Sequence, residues 1–272
     1  MKEPTGTPVA RAFARARRQG RAAFVPYLTA GDPSLEATGE LLAAFAANGA
    51  DVIEVGVPFS DPIADGPVNQ RAAARALAGG ASVSGILGMI AERRADIGVP
   101  VVLFTYTNPI LARGPQRFAE QAAASGVDGV LCVDLPPEEA EEELLPALDE
   151  QGIDSIFLLA PTSSRERVKK VAASSSGFVY YVSRTGVTGE RDQLPRELAR
   201  ELKRLRRRLP LPLAVGFGVS TAAQVREVAK LSDGVVVGSA LVRLVEEHGG
   251  DGDLPALLEE RVRELAAATR RR

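Results

Sequence analysis

Apolar residues along this chain fall into two rhythms. Short unbroken runs rich in Val, Ile and Leu alternate with longer stretches in which apolar residues return every three or four positions. The first rhythm marks a strand buried on both faces, the second an amphipathic helix. Strands are therefore expected near Ala23–Leu28, Val52–Gly56, Val101–Phe104, Gly129–Val133, Asp154–Leu158, Phe178–Val182, Leu213–Val215 and Gly234–Val237. Helical stretches lie between them, among them Leu194–Leu209 and Thr221–Lys230. Another, on which Leu35, Leu41, Leu42 and Phe45 recur at helical spacing, starts behind the cap-like Ser34. One phrase repeats at the junctions: Gly49-Ala-Asp-Val-Ile53, Gly126-Val-Asp-Gly-Val130 and Gly152-Ile-Asp-Ser-Ile156, with a relaxed copy at Leu231-Ser-Asp-Gly-Val235. Its glycine ends a helix in the left-handed conformation, its aspartate belongs to the short turn, and the next strand follows.

Alternating strands and helices predict a parallel sheet. Eight units with no long linker favour closure into a single (β/α)8 TIM barrel over residues 1–272, with an extra N-terminal helix in the Arg-rich stretch 1–20. A doubly wound open sheet is the alternative. Two charge runs have simple structural readings. Lys203-Arg-Leu-Arg-Arg-Arg208 is the wet face of a helix, and Glu138–Glu143 opens a helix behind Pro136 and Pro137, where negative charge complements the dipole.

Composition narrows the chemistry. Lys and Arg number 33 against 35 Asp and Glu, a net charge of −2, so no basic field invites nucleic acid or an anionic membrane. No signal-like segment opens the chain and no run of about 18 apolar residues occurs, so a soluble, cytoplasmic protein is expected. The single cysteine, Cys132, sits in an apolar run and reads as a buried strand residue. With one His and one Cys, a zinc or iron site lacks ligands, and no metal is expected. His248 reads as a helix-terminal residue running into Gly249 and Gly250 rather than a member of a triad. Lys169, Lys170, Lys203 and Lys230 all fall in helical stretches and Lys2 precedes the fold, leaving no lysine at a strand end to form a Schiff base.

In such a barrel, reactive groups stand at the C-terminal ends of the strands and in the loops that follow. Glu54 interrupts the apolar run Val52-Ile-Glu-Val-Gly56, where burial would raise its pKa toward neutrality, and Asp65 follows in a loop bent by Pro62, Gly66 and Pro67. The bland alternatives are a structural Glu54–Arg pair and an Asp65 that only shapes a turn. Late in the chain, Thr188-Gly189, Gly216-Phe-Gly218 and Gly238-Ser-Ala240 follow the last three strands and together suit a phosphate cup, with a helix starting after Ser239. Ser183–Arg191 has the make-up of a lid or of an ordinary loop. Tyr180 and Tyr181 alternate along a strand, so one faces the barrel interior and the other the helices.

The segments Phe24-Val-Pro-Tyr-Leu-Thr-Ala-Gly-Asp-Pro33, Ile53-Glu-Val-Gly-Val-Pro-Phe-Ser-Asp-Pro-Ile-Ala-Asp-Gly-Pro67, Tyr180-Tyr-Val-Ser-Arg-Thr-Gly-Val-Thr-Gly189 and Gly234-Val-Val-Val-Gly-Ser-Ala240 together resemble tryptophan synthase α subunits over nearly the whole chain. The resemblance implies retro-aldol cleavage of indole-3-glycerol phosphate to indole and glyceraldehyde 3-phosphate, with Glu54 and Asp65 as catalytic acids and Tyr180 as the active-site tyrosine. It assigns the phosphate to Gly189, Gly218, Gly238 and Ser239, and the pocket and lid to Tyr27, Thr188, Arg184 and Phe217. Two departures from the family pattern, Tyr27 where Phe is frequent and Val68-Asn69 where Thr-Ile is more usual, are expected not to touch the chemistry. Pro58, Asp61 and Asn108 would face a β subunit in an α2β2 complex, and pyridoxal phosphate would belong to that partner, leaving this chain without a cofactor. A free-standing lyase, a degenerate subunit that only activates its partner, and another phosphate-sugar barrel such as an isomerase are the competing readings.

Overall fold

The structure, a computed structural model, describes residues 6–182, 196–216 and 218–271. The chain opens with helix α1 (Pro8–Arg18), then β1 (Ala23–Thr29), α2 (Leu35–Ala47), β2 (Ile53–Gly56), α3 (Pro67–Ala78), α4 (Val83–Ile97) and β3 (Val101–Thr105). There follow α5 (Thr107–Leu111), α6 (Pro115–Ala124), β4 (Gly129–Cys132), α7 (Pro137–Ala140), α8 (Leu144–Glu150), β5 (Asp154–Ile156) and β6 (Leu158–Leu159). The last elements are α9 (Arg165–Ser174), β7 (Val179–Val182), α10 (Arg196–Arg206), β8 (Leu213–Gly216), α11 (Ala222–Leu231), β9 (Gly234–Val237), α12 (Ser239–His248) and α13 (Leu254–Ala268).

All pairings between these strands are parallel, in the order β5-β4-β3-β2-β1-β9-β8-β7-β6. The two ends of that order are consecutive in the chain and separated only by Phe157, so the sheet closes into a barrel of eight staves whose fifth is broken in two. β5 pairs with β4, β6 pairs with β7, and the Phe157 carbonyl between them accepts a hydrogen bond from the Tyr180 amide at 3.1 Å. The single strand expected at Asp154–Leu158 thus turns from one neighbour to the other partway along. Four helices, α3, α5, α7 and α12, come directly after strand ends and before the longer outer helices. They build the rim of the C-terminal mouth.

The opposite end is closed by a repeated device. The aspartate of the junction phrase does more than occupy a turn: its carboxylate reaches the first N–H groups of the neighbouring strand. Asp51 Oδ2 accepts from the Phe24 amide at 2.9 Å, Asp128 Oδ2 from Val101 at 2.9 Å and Asp233 Oδ2 from Leu213 at 3.2 Å. An arginine neutralises each: Arg21 for Asp51, Arg94 at 3.0 Å for Asp128 and Arg206 at 3.0 Å for Asp233. The preceding glycines Gly49, Gly126 and Gly152 have φ of +108°, +82° and +67°, so each ends its helix in the left-handed region as expected. Asp154 breaks the pattern. It lies in β5 and accepts from the hydroxyl of Thr7 at 2.6 Å, the residue that also caps α1. This bond pins α1 across the base of the barrel, where Phe13 stacks on Phe178 at 5.0 Å and lies so close to Gly234 that a Cβ there would be 2.7 Å from its ring. The acidic run Glu138–Glu143 begins in α7 and ends before α8, and no single helix among the described residues is long and apolar enough to cross a membrane.

Candidate active site

Glu54 is the second residue of β2, in register with Tyr27 on β1 and Val102 on β3. It is 1% exposed, and its Oε1 is buried without a hydrogen-bond partner. Among the described residues no Arg or Lys lies within ion-pair distance of it, so the structural-pair alternative finds no support here. Burial, and after it the nearby charge of Asp65, pushes its pKa from 4.5 up to about 8. The group is protonated at neutral pH yet close to the point of release.

Asp65 stands on the loop between β2 and α3. Its backbone does form a turn, with its amide donating to the Pro62 carbonyl at 3.0 Å and its carbonyl accepting from Gln70 Nε2 at 2.9 Å. Its carboxylate makes separate contacts. The hydroxyl of Tyr106, just past the end of β3, donates to Oδ2 at 2.7 Å, and Asn69 Nδ2 is 3.5 Å from Oδ1. Tyr106 in turn accepts from the Ala64 amide at 3.1 Å and rests on Phe59 with ring centres 5.2 Å apart. Burial raises the pKa of Asp65, while the donors Tyr106 and Asn69 oppose that rise. Two carboxylates in one mouth therefore have different surroundings: one dry and unpartnered, one supplied with donors. Such a division suits a proton carrier beside a charge stabiliser.

Tyr180 points inward and Tyr181 outward, as their alternation demands. Tyr180 is buried, its hydroxyl lies over Gly216 so closely that a Cβ there would sit 2.1 Å away, and the charge of Glu54, after burial, raises its pKa. Tyr181 instead lies beside Glu201 on α10. Tyr27 crosses the mouth in the same way: its hydroxyl lies 3.3 Å from Thr29 Oγ1 and over Gly56, and its ring approaches Gly238. Burial and then the charge of Asp65 raise its pKa well above 10. Of the two departures from the family pattern, Tyr27 and Asn69 each lie beside one of the two carboxylates. Asn69 approaches Asp65 because it lies one helical turn beyond it, and Tyr27 is the register partner of Glu54.

Across the mouth, Gly238 begins α12 without a side-chain cap, and its carbonyl takes the Leu241 and Val242 amides at 2.8 and 3.1 Å, so the Ser239 and Ala240 amides ahead of them have no acceptor within the helix. Gly218 follows β8 with φ of +75°. Glycine and helix terminus here form the kind of corner that accepts an anion. Thr188, Gly189, Arg184 and Phe217 lie outside the described residues. Of the residues assigned to a partner face, Asp61 and Asn108 are exposed, whereas Pro58 is buried and shapes the loop from within. Sequence reasoning missed Ile63, 78% exposed beside Asp65, and Leu111, 55% exposed on α5. It also missed Tyr106, whose signal was a tyrosine just past the C-terminal end of a strand, where reactive groups stand in such a barrel. Burial raises the Cys132 thiol to about 12, which makes it an inert strand residue. His248 ends α12 and contacts Asp251 at 3.0 Å.

Fold and site define a class: a (β/α)8 barrel with a pair of unlike carboxylates at its C-terminal mouth, the arrangement of an acid–base enzyme. A family model described as Tryptophan synthase alpha chain matches residues 13–270. The chain belongs to that family. The tryptophan synthase alpha chain of Acidiphilium cryptum is 49% identical over 268 residues, 96% of this chain and 97% of that one. That of Geotalea uraniireducens is 49% identical over 243 residues, 89% of this chain and 91% of that one. A structure of Mycobacterium tuberculosis tryptophan synthase superposes with a TM-score of 0.89 at 38% identity, covering 98% of this chain and 100% of that chain. Tryptophan synthase subunit alpha from Legionella pneumophila gives 0.90 at 36% identity, covering 97% and 99%.

Proposed function

We propose that this chain is the lyase subunit that cleaves indole-3-glycerol phosphate to indole and glyceraldehyde 3-phosphate and delivers the indole to a β subunit for tryptophan synthesis in the cytoplasm. The observation that carries the reading is Glu54: a dry, unpaired carboxyl with a pKa near 8, in the same mouth as a donor-supported Asp65. Protonated Glu54 gives its proton to C3 of the indole ring, which makes the ring an electron sink. The bond from C3 to the glycerol carbon then breaks with its electron pair returning to the ring. Glu54, now ionised, takes the hydroxyl proton from that glycerol carbon as it becomes the aldehyde, so the carboxyl ends as it began. Asp65 accepts from the ring N–H and stabilises its positive charge, held in place by Tyr106. Tyr180 and Tyr27 wall the ring site, and Gly218, Gly238 and Ser239, with Gly189, hold the phosphate.

This chemistry asks for no cofactor in this chain; pyridoxal phosphate would belong to the partner. The exposed apolar side chains Ile63 and Leu111, beside Asp61 and Asn108 on the rim, support a β subunit seated over the mouth in an α2β2 assembly. The test is indole release from indole-3-glycerol phosphate by the purified chain, alone and with a β subunit, beside Glu54→Gln and Asp65→Asn. Slow release that the partner accelerates and Glu54→Gln abolishes is the expected result. Vigorous turnover without a partner assigns a free-standing lyase, and no indole under either condition overturns the catalytic reading.

A further inference from the structure

The rim of the barrel carries an ion lattice outside the site described above. Arg75, near the end of α3, donates from Nε and Nη2 to the carboxylate of Asp32 at 2.9 and 2.7 Å, and from Nη1 to Glu246 at 2.8 Å. Arg71, one turn earlier, grips the same Glu246 from Nε and Nη2 at 2.7 and 2.8 Å. Asp32 is only 3% exposed and lies in the loop after β1, while Glu246 belongs to α12. In the strand order β2, β1 and β9 are adjacent. The lattice therefore joins the segments that follow three neighbouring staves.

Each end of the lattice leads to one end of the proposed substrate site. α3 starts two residues after Asp65, and Gln70 in its first turns holds the Asp65 carbonyl. α12 starts at Ser239, in the phosphate corner. The Asp65 end and the phosphate end are separate chain segments on separate helices, and the substrate is one molecule of fixed length that must fit both. Two forked guanidinium–carboxylate contacts fix direction as well as distance, which apolar packing does less well. The bonds from Arg71 and then Arg75 hold the Glu246 carboxyl down to a pKa of about 2, so it remains ionised throughout the working range.

We propose that Asp32, Arg75, Glu246 and Arg71 act as a spacer that sets the distance between the ring-binding and phosphate-binding halves of the site. They are positioning residues, and the proposal rests on the lyase reading above. A spacer has a signature that ordinary stabilisation lacks: it matters to the joined substrate and not to its two halves. In the full-length chain, Glu246→Gln is expected to leave the binding of indole alone and of glyceraldehyde 3-phosphate alone within about twofold of the parent by calorimetry. It is expected to lower kcat/KM for indole-3-glycerol phosphate by about 10-fold, and Arg75→Met, which releases α3 from Asp32 and leaves Arg71 as its tie to Glu246, by up to the ~100-fold that a misplacement near 1 Å can bring. Glu246 is partly exposed, so its variant is the one expected to fold normally. If both halves and the joined substrate lose affinity in parallel, or if neither variant changes kcat/KM, the spacer is overturned and the lattice is structural. A parent chain that binds neither half and cleaves nothing overturns the lyase reading, and the spacer with it.

Discussion

Replacing Glu54 by Gln separates the electrostatic argument for this residue from its mere presence in the mouth. Folded, Glu54 keeps its proton up to a pH of about 8; unfolded, it loses it near the ordinary value of 4.5. Between those values the folded state holds a proton that the unfolded state has released. Stability therefore falls as pH rises through the window and levels off above 8. At 1.36 kcal/mol for each tenfold in proton affinity, the loss from this one group grows from under about 1 kcal/mol at pH 5 to about 5 kcal/mol at pH 9. Gln keeps the shape of the protonated acid and never ionises. Glu54→Gln is thus expected to be more stable than the parent by a margin about 4 kcal/mol larger at pH 9 than at pH 5, or roughly 8–16 °C in Tm for a chain of this size. Urea unfolding of both proteins at pH 5, 7 and 9 measures the margin directly. The same variant should lose activity at every pH, by about 10²–10⁴-fold if Glu54 carries the proton. A stability margin that does not change with pH would refute the reasoning, because it would mean that the carboxyl is neither dry nor free of a partner.

Tyr106→Phe removes the donor that opposes the rise in Asp65's pKa, so the pH below which kcat/KM declines should move upward, with a loss of about 10-fold or more at neutral pH. A pH profile with an unmoved acid limb counts against the assignment of Tyr106 as the support of Asp65. At the base of the barrel, Asp128→Ala leaves the buried Val101 amide without its acceptor and should cost about 2–3 kcal/mol in denaturant unfolding, with kcat/KM unchanged at temperatures where the variant is folded. Loss of activity without loss of stability would show that the base of the barrel takes part in the chemistry.

The strands were readable because a parallel stave is buried on both faces, and an unbroken β-branched run between helical periods fits few structures besides such a stave. Glu54 was readable for the same reason: a carboxylate inside such a run is costly unless it is used. The glycines of the junction phrase announced their left-handed ends, and the alternation of Tyr180 and Tyr181 foretold that only one would look inward. What each polar side chain would meet lay beyond this reach. Tyr106 and Asp65 are 41 residues apart, and nothing local says that the end of β3 will stand over the loop after β2. Asn69 passed for a neutral departure because its distance from Asp65 is set by where α3 begins, not by its identity. The broken fifth stave escaped notice because Asp154–Leu159 is one unbroken stretch of chain with no turn residue inside it, divided only by which neighbour each half can reach once the barrel closes.

Sequence alone therefore determined the period of the chain, its number of staves, the burial of Glu54 and the scarcity of His, Cys and Lys that argues against metal-centred and Schiff-base chemistry. These are properties of residue type and local spacing. Tertiary structure alone decided the partners: Asp51, Asp128 and Asp233 on their neighbours' strand amides, Tyr106 on Asp65, and Arg75 between Asp32 and Glu246, which lie 43 residues before it and 171 after. Closing the barrel brings the ends of distant staves within hydrogen-bond reach. Directional polar contacts depend on that closure because their strength falls away within about an ångström, whereas burial of an apolar run is satisfied by almost any arrangement that excludes water.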